Sequence, residues 1–167
     1  MRRTPTVIAC VLALALPCAA SEPAIKVEPP QLQGSRPLEK QTESAVIRDY
    51  LHSWKTLQAA LDQNQEALLD QDFAGTARDK LASTIEDQVK AGIHTRYEDS
   101  AHEFRIVFYS PEGLSIQLVD TVDYDQQVLV KDKVLASKHI RQRYVVVLTP
   151  SEVRWKVRIL QADGPVP

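Results

Sequence analysis

RYVVVLTPSEVRWKVRIL, residues 143–160, is the stretch whose reading decides the fold class. Two runs rich in β-branched residues flank Thr149-Pro150-Ser151-Glu152. Pro150 presets φ there, and the Thr and Ser hydroxyls can bond the local backbone, so the four residues predict a turn. The second run alternates: Val153, Trp155, Val157 and Ile159 share one face, and Arg154, Lys156 and Arg158 share the other. That is the period of a half-buried strand. The first run is apolar on both faces from Val145 to Leu148, which predicts a place inside the sheet rather than at its edge.

Upstream, the same period of two continues. Residues 103–110 put Phe104, Ile106 and Phe108 on one face, and Pro111-Glu112-Gly113 reads as a turn. Residues 114–124 form a strand whose inward row is Leu114, Ile116, Leu118 and Val122, with Asp120 interrupting it. Residues 126–135 are less regular, a short strand and a loop at Lys131-Asp132-Lys133. Residues 138–148 and 153–161 complete the sheet.

Before residue 93 the period is helical. Over residues 42–63, Ile47, Tyr50, Trp54, Leu57 and Leu61 fall at steps of three and four. Ser44, Arg48, Asp49, Lys55, Gln58 and Asp62 occupy the remaining surface, and Trp54 is placed as an anchor against the sheet. Residues 65–72 form a shorter helical piece. Phe73-Ala74-Gly75 turns the chain, Thr76 reads as an N-cap with Asp79 three residues on, and a helix over 77–91 presents Leu81, Ile85 and Val89. Gly92 suits the left-handed position that ends it.

The chain opens with Arg2 and Arg3, an apolar run over residues 7–16, Pro17, and the small residues Cys18-Ala19-Ala20. That is the layout of a secretory signal peptide, here residues 1–20, and the run is too short to span a bilayer. Export to the periplasm or beyond the cell follows, with the membrane involved only through export. Acylation of Cys18 is not expected, because Pro17 stands where a small residue is needed. Both cysteines, Cys10 and Cys18, lie in this leader, so a chain starting at Ser21 has no disulfide and no thiolate metal site. Residues 21–41, with Pro23, Pro29, Pro30 and Pro37, read as a disordered proline-rich linker. The domain then spans 42–162, and 163–167 form a frayed tail. A chain of 167 residues with net charge −2 makes one domain and does not point to nucleic acid.

Helices first and a meander of strands after them predict an α+β fold, N-terminal helices packed on a curved antiparallel β-sheet. With a tryptophan on the first long helix and a strand carrying the R-W-K-V-R run, the pattern resembles the nuclear transport factor 2-like superfamily of cone-shaped domains, over about residues 42–162. The resemblance is architectural. It implies a cavity between the first helices and the concave sheet, and its members include both cofactor-free enzymes and non-catalytic domains.

Two residues could act as a general base inside such a cone, Asp120 on the inward parity and His102 just before Phe104, with Tyr124 and Tyr50 as hydrogen-bond donors. The plainer reading, which weighs more, puts Asp120 at a strand end or bulge facing water. The four histidines, His52, His94, His102 and His139, have no metal-ligand spacing, and they read as exposed or hydrogen-bonded side chains. No cofactor motif is present. For Trp54 the sharper reading is an aromatic ligand platform, and the simpler one, which weighs more, is the core anchor.

Charge is segregated along the chain. Residues 98–125 carry seven acids and one base, net −6; residues 131–158 carry eight bases and two acids, net +6. Either neighbouring strands pair these charges on the outer sheet face, or Arg141, Arg143, Arg154, Lys156 and Arg158 form a binding stripe; self-pairing weighs more. Together these features predict an exported, non-catalytic domain that binds a partner protein or a small apolar ligand in the cone or on the outer face, a homodimer remaining open. The alternative is a small cofactor-free lyase, isomerase or hydrolase using Asp120 or His102.

Overall fold

The computed structural model describes residues 24–34 and 36–165; the proposed leader and the end of the tail lie outside them. The element order is β1 (Ala24–Val27), α1 (Lys40–Gln63), a 3-10 helix (Glu66–Gln71), α2 (Gly75–Ala91), β2 (His94–Tyr109), β3 (Ile116–Val130), β4 (Lys133–Pro150) and β5 (Trp155–Pro165). The strands form one sheet in the order β1-β2-β3-β4-β5. β1 is parallel to β2, and every other neighbour is antiparallel. The helices cover one face of this curved sheet, which is the expected α+β architecture.

The interior rests on the inward row of β3. Ile116, Leu118, Asp120, Val122 and Tyr124 are all buried, and the residues between them are partly exposed. Val146 and Leu148 of β4 and Phe104 and Ile106 of β2 extend the row sideways. Against it α1 lays Val46, Tyr50, Trp54, Leu57 and Leu61, so Trp54 is a core anchor as expected. Full burial of each such side chain stabilises by about 1.5–3 kcal/mol. The arc is rotated from the expected one: Val46 rather than Ile47 is central, and Asp49, placed on the polar surface by its type, is buried. Asn64 ends α1 in the left-handed conformation and its side-chain amide donates to Ile93 O at 2.7 Å, tying the helix end to the start of β2.

Two of the sheet's register shifts overturn the expected alternation. Between Ile106↔Leu118 and Phe108↔Gln117 the register shifts, leaving Val107 as an extra residue; Tyr109, not Phe108, returns to the core. Between Val147↔Ile159 and Leu148↔Val157 Arg158 is the extra residue. Val157 is therefore buried and Leu160 packs on the core, while Ile159 turns outward. Such bulges bend and twist the strand that carries them. Val153 lies in the turn rather than on the inward face and is 81% exposed. Leu114 likewise precedes β3 and is exposed.

Other expectations are corrected. Residues 126–135 lie largely in strands: β3 and β4 run on, with a register shift between Val128↔Ala136 and Leu129↔Val134, to a two-residue turn at Lys131, whose φ is +53°, and Asp132. α2 begins at Gly75 with Ala74 as N-cap and no side-chain cap, so Thr76 lies inside the helix. Its buried face is Ala77, Ala82, Ile85 and Gln88, and Val89 faces solvent. The proline-rich segment is not a free linker over its described part. β1 pairs with β2, and the amides of Glu28, Gln31 and Gln33 donate to Phe104 O, Ile106 O and Val107 O. Proline-free positions supply these donors, and the backbone needs no buried side chains for them. The expected tail is ordered as β5 through Pro165.

These assignments separate two substitutions. Phe104→Ala should cost about 3–5 kcal/mol, whereas Val153→Ala should stay within about 0.5 kcal/mol. Denaturant midpoints at unchanged slope measure both; a large loss at Val153 would restore the uninterrupted alternation.

Candidate functional site

In the middle of the β3 row a carboxylate stands where an aliphatic side chain would be expected. Asp120 is 0% exposed. Its neighbours across the sheet are Phe104 on β2 and Tyr144 on β4. Tyr50 on α1 donates its hydroxyl to Asp120 Oδ2 at 2.6 Å, and His102 Nδ1 lies 2.8 Å from the same oxygen. The reading in which Asp120 faces water is therefore overturned. A buried carboxylate is tolerable only with such donors, and helix and neighbouring strand each supply one. Asp120 Oδ1 is buried without a hydrogen-bond partner among the described residues.

Aromatic rings close over this trio. The His102 ring meets Trp54 edge-on at 5.0 Å, and Trp54 meets Tyr144 at 5.7 Å. Tyr97 and Tyr124 pack at 4.5 Å, and the hydroxyls of Tyr124 and Tyr144 are 3.4 Å apart. Burial, then the Asp120 carboxylate, pushes the Tyr50 phenol well above its ordinary pKa. Burial also raises Tyr97 and Tyr144, with Tyr124 adding to both. The structure thus brings Tyr50, Trp54, His102, Asp120 and Tyr124 into one cluster. Tyr97 and Tyr144 belong to it and escaped the sequence reading; Tyr144 shares the parity of Val146 and Leu148, which is the signal that could have found it.

The proposed basic stripe does not hold together. Arg141 and Arg143 project from the outer sheet face, and Arg143 pairs with Asp163 at 3.4 Å. Arg154 instead reaches the helix layer, donating to Asp72 Oδ1 at 2.8 Å, and Lys156 donates to Asp70 O at 2.7 Å. Arg158 is the bulge residue beside Gly75. Asp72 also accepts from Thr56 at 2.5 Å and meets His52 Nδ1 at 3.0 Å. Its own burial opposes ionisation, but the Thr56, Arg154 and His52 contacts outweigh that and hold its pKa below the ordinary value. Asp49 accepts the Trp155 amide at 2.9 Å. A cleft of about 350 Å³ beside this latch is lined by Gln71, Ser151, Glu152, Val153, Arg154 and Lys156.

Each histidine has an aspartate partner. Besides His52 and His102, His94 Nδ1 lies 3.0 Å from Asp62, and His139 sits between Asp123 and Asp125, 2.8 Å from each. A ring that donates from both nitrogens is an imidazolium. The Asp125 hydrogen bond, then the Asp123 charge, raises the His139 pKa above 6.5. The backbone carbonyl of Lys131, then Asp62, does the same for His94 against burial.

Asp120→Ala should strand the Tyr50 hydroxyl and the His102 ring, at about 1–3 kcal/mol for each unsatisfied group; a denaturation midpoint near that of the parent would show the trio to be dispensable to the fold. His139 should titrate above 6.5 by NMR, and Asp125→Asn should bring it down. Because the folded value is raised, the stabilisation from His139 is fully present below the unfolded pKa. It is lost as pH rises through the folded one.

No family model and no curated protein matches this chain. Solved structures do. The intermembrane space region of the chloroplast protein ARC6 aligns with a TM-score of 0.60 at 11% identity, over 76% of this chain and 98% of that one. Hexachlorocyclohexane dehydrochlorinase LinA-type3 from Novosphingobium barchaimii aligns at 0.47 and 15%, over 77% and 91%. A protein named as a polyketide cyclase from Bacillus cereus aligns at 0.33 and 12%, over 90% and 92%. Likeness at such identities concerns the fold. The chain shares its helix-then-sheet architecture, as a fold, with the ARC6 region.

Proposed function

We propose that this chain is an exported, non-catalytic binding domain that meets a partner protein across the outer face of its sheet. The observation that carries this reading is the sealing of the interior. The side chains of Asp120 and His102 are 0% and 2% exposed, they engage each other and Tyr50, and aromatic rings close over them. A general base must come within hydrogen-bond reach of its substrate, whereas Asp120 Oδ2 is taken by Tyr50 and His102 and Oδ1 is buried. A small apolar ligand would have to part Trp54, Tyr124 and Tyr144. The outer face, by contrast, carries no helix among the described residues. Val119, Val145 and Val147 form a partly exposed aliphatic patch there, flanked by Thr121, Asp123, Arg141 and Arg143. An apolar centre with a charged rim is the composition of a protein interface.

Export rests on the leader, and mass spectrometry of the released chain should find Ser21 as its first residue. The binding face is tested with a photo-crosslinking residue at Val119 or Val147, and at Val89 on the far side, in the cell that exports the protein. A discrete adduct should form from the first two positions and not from the third. Equal adducts at all three positions, or a small-molecule turnover abolished by Asp120→Asn in a protein that still folds, would overturn the reading.

A further inference from the structure

On that outer face lies a hollow of about 280 Å³ formed by β1, β2, β3 and β4. Its floor is small: Ala24 and Ala101 are opposite each other in register, and Thr121 lies beside them. Its walls carry both signs, and most of the charges are already engaged. Glu103 bonds Lys26 across the β1–β2 pair. Asp123 stands directly opposite Arg141, yet its carboxylate turns to His139 Nε2 at 2.8 Å. Arg141 is left exposed, with no hydrogen bond or ion pair to another described residue. The hollow therefore holds one cation with no hydrogen-bonded partner among the described residues, though Glu103 lies within reach of its charge.

We infer that the hollow is a recognition site for a single carboxylate, an acidic side chain presented by the partner protein, with Arg141 as the residue that holds it. This rests on the outer-face reading above and names what that face selects. The planar guanidinium offers paired donors that match a carboxylate. The two alanines leave space for the methylene groups that carry it. An arginine–carboxylate pair in open solvent contributes little. Once the aliphatic patch of Val119, Val145 and Val147 is covered, water is excluded from the rim and the same pair acts in lower dielectric. Arginines in that setting are often binding hot spots.

The test uses the exported chain and three short blocked peptides read by NMR. One carries a central glutamate and an amidated end, one carries glutamine with a free terminal carboxylate, and one carries glutamine with an amidated end. The first should shift the resonances of Ala101, Thr121 and Arg141 saturably, at least about tenfold more tightly than the third. Arg141→Gln should abolish the effect without changing the melting temperature, since the side chain has no hydrogen-bonded partner to lose among the described residues. Equal affinity of the first and third peptides, binding confined to the free terminus, or binding unchanged in Arg141→Gln would each overturn the inference. Adducts from Val119 that persist undiminished in Arg141→Gln would overturn it while leaving the outer-face reading intact. Absence of adducts in the parent would overturn that reading itself.

Discussion

A hydrogen bond from the first helix to the middle strand crosses the core of this domain, and much of the geometry follows from it. Asp120 occupies a position in β3 whose parity points it at α1. A carboxylate in that place costs several kcal/mol unless donors reach it, and Tyr50 is the donor that arrives from the helix layer. The bond therefore fixes the rotation of α1 as well as its distance from the sheet. An aliphatic residue at the same position would let α1 slide, because apolar contacts are tolerant of small displacements. With Tyr50 on Asp120, Trp54 one turn further on is brought edge-on to His102 and Tyr144. The rings that fill the cone are placed by a polar contact beneath them.

The far edge of the sheet is fixed by the same device used twice. Asp49 takes the amide of Trp155, and Asp72 takes Arg154, Thr56 and His52. Backbone bonds between Val157 and residues 72 and 74 complete the latch. An edge strand exposes unpaired backbone groups that invite other strands; here the chain entering α2 covers part of that edge. The arginine and lysine that look like a recognition stripe in the sequence serve closure of the domain. Of the five proposed binding cations, Arg154 and Lys156 are thereby turned toward the helix layer, Arg158 lies beside Gly75, and Arg141 and Arg143 project from the sheet face.

What was legible in the sequence followed from periodicity, and what was not followed from contacts between distant residues. The alternation from Ile116 to Tyr124 is uninterrupted, so its inward row could be read, Asp120 included. Phe108 and Ile159 were misplaced because a bulge adds one residue and reverses every parity beyond it. Neither Val107 nor Arg158 carries a local mark of that, since each bulge is set by the pairing partner. Asp49 was assigned to solvent by its type, although its spacing from Val46 and Ser53 sets it within the buried arc. The Pro-rich segment was read by composition. Its backbone pairs with β2 while all four β1 side chains remain exposed, a bond pattern that no hydrophobicity argument detects. The cluster was half visible: Tyr50, Trp54, His102, Asp120 and Tyr124 could be named, but their sealing by Tyr97 and Tyr144 depends on tertiary packing.

The charge segregation along the chain has a similar explanation. Acidic β3 and basic β4 are antiparallel neighbours, so opposite signs far apart in sequence face each other across one ladder. In register Asp123 faces Arg141 and Asp125 faces His139. Instead Asp123 and Asp125 converge on His139, because a ring with two nitrogens can hold two carboxylates at once. That choice displaces Arg141 from its register partner. The cation available on the face is thus a consequence of how a histidine competes with an arginine for the same acid. The arrangement depends on protonation: an imidazolium can donate to both aspartates, a neutral ring to only one.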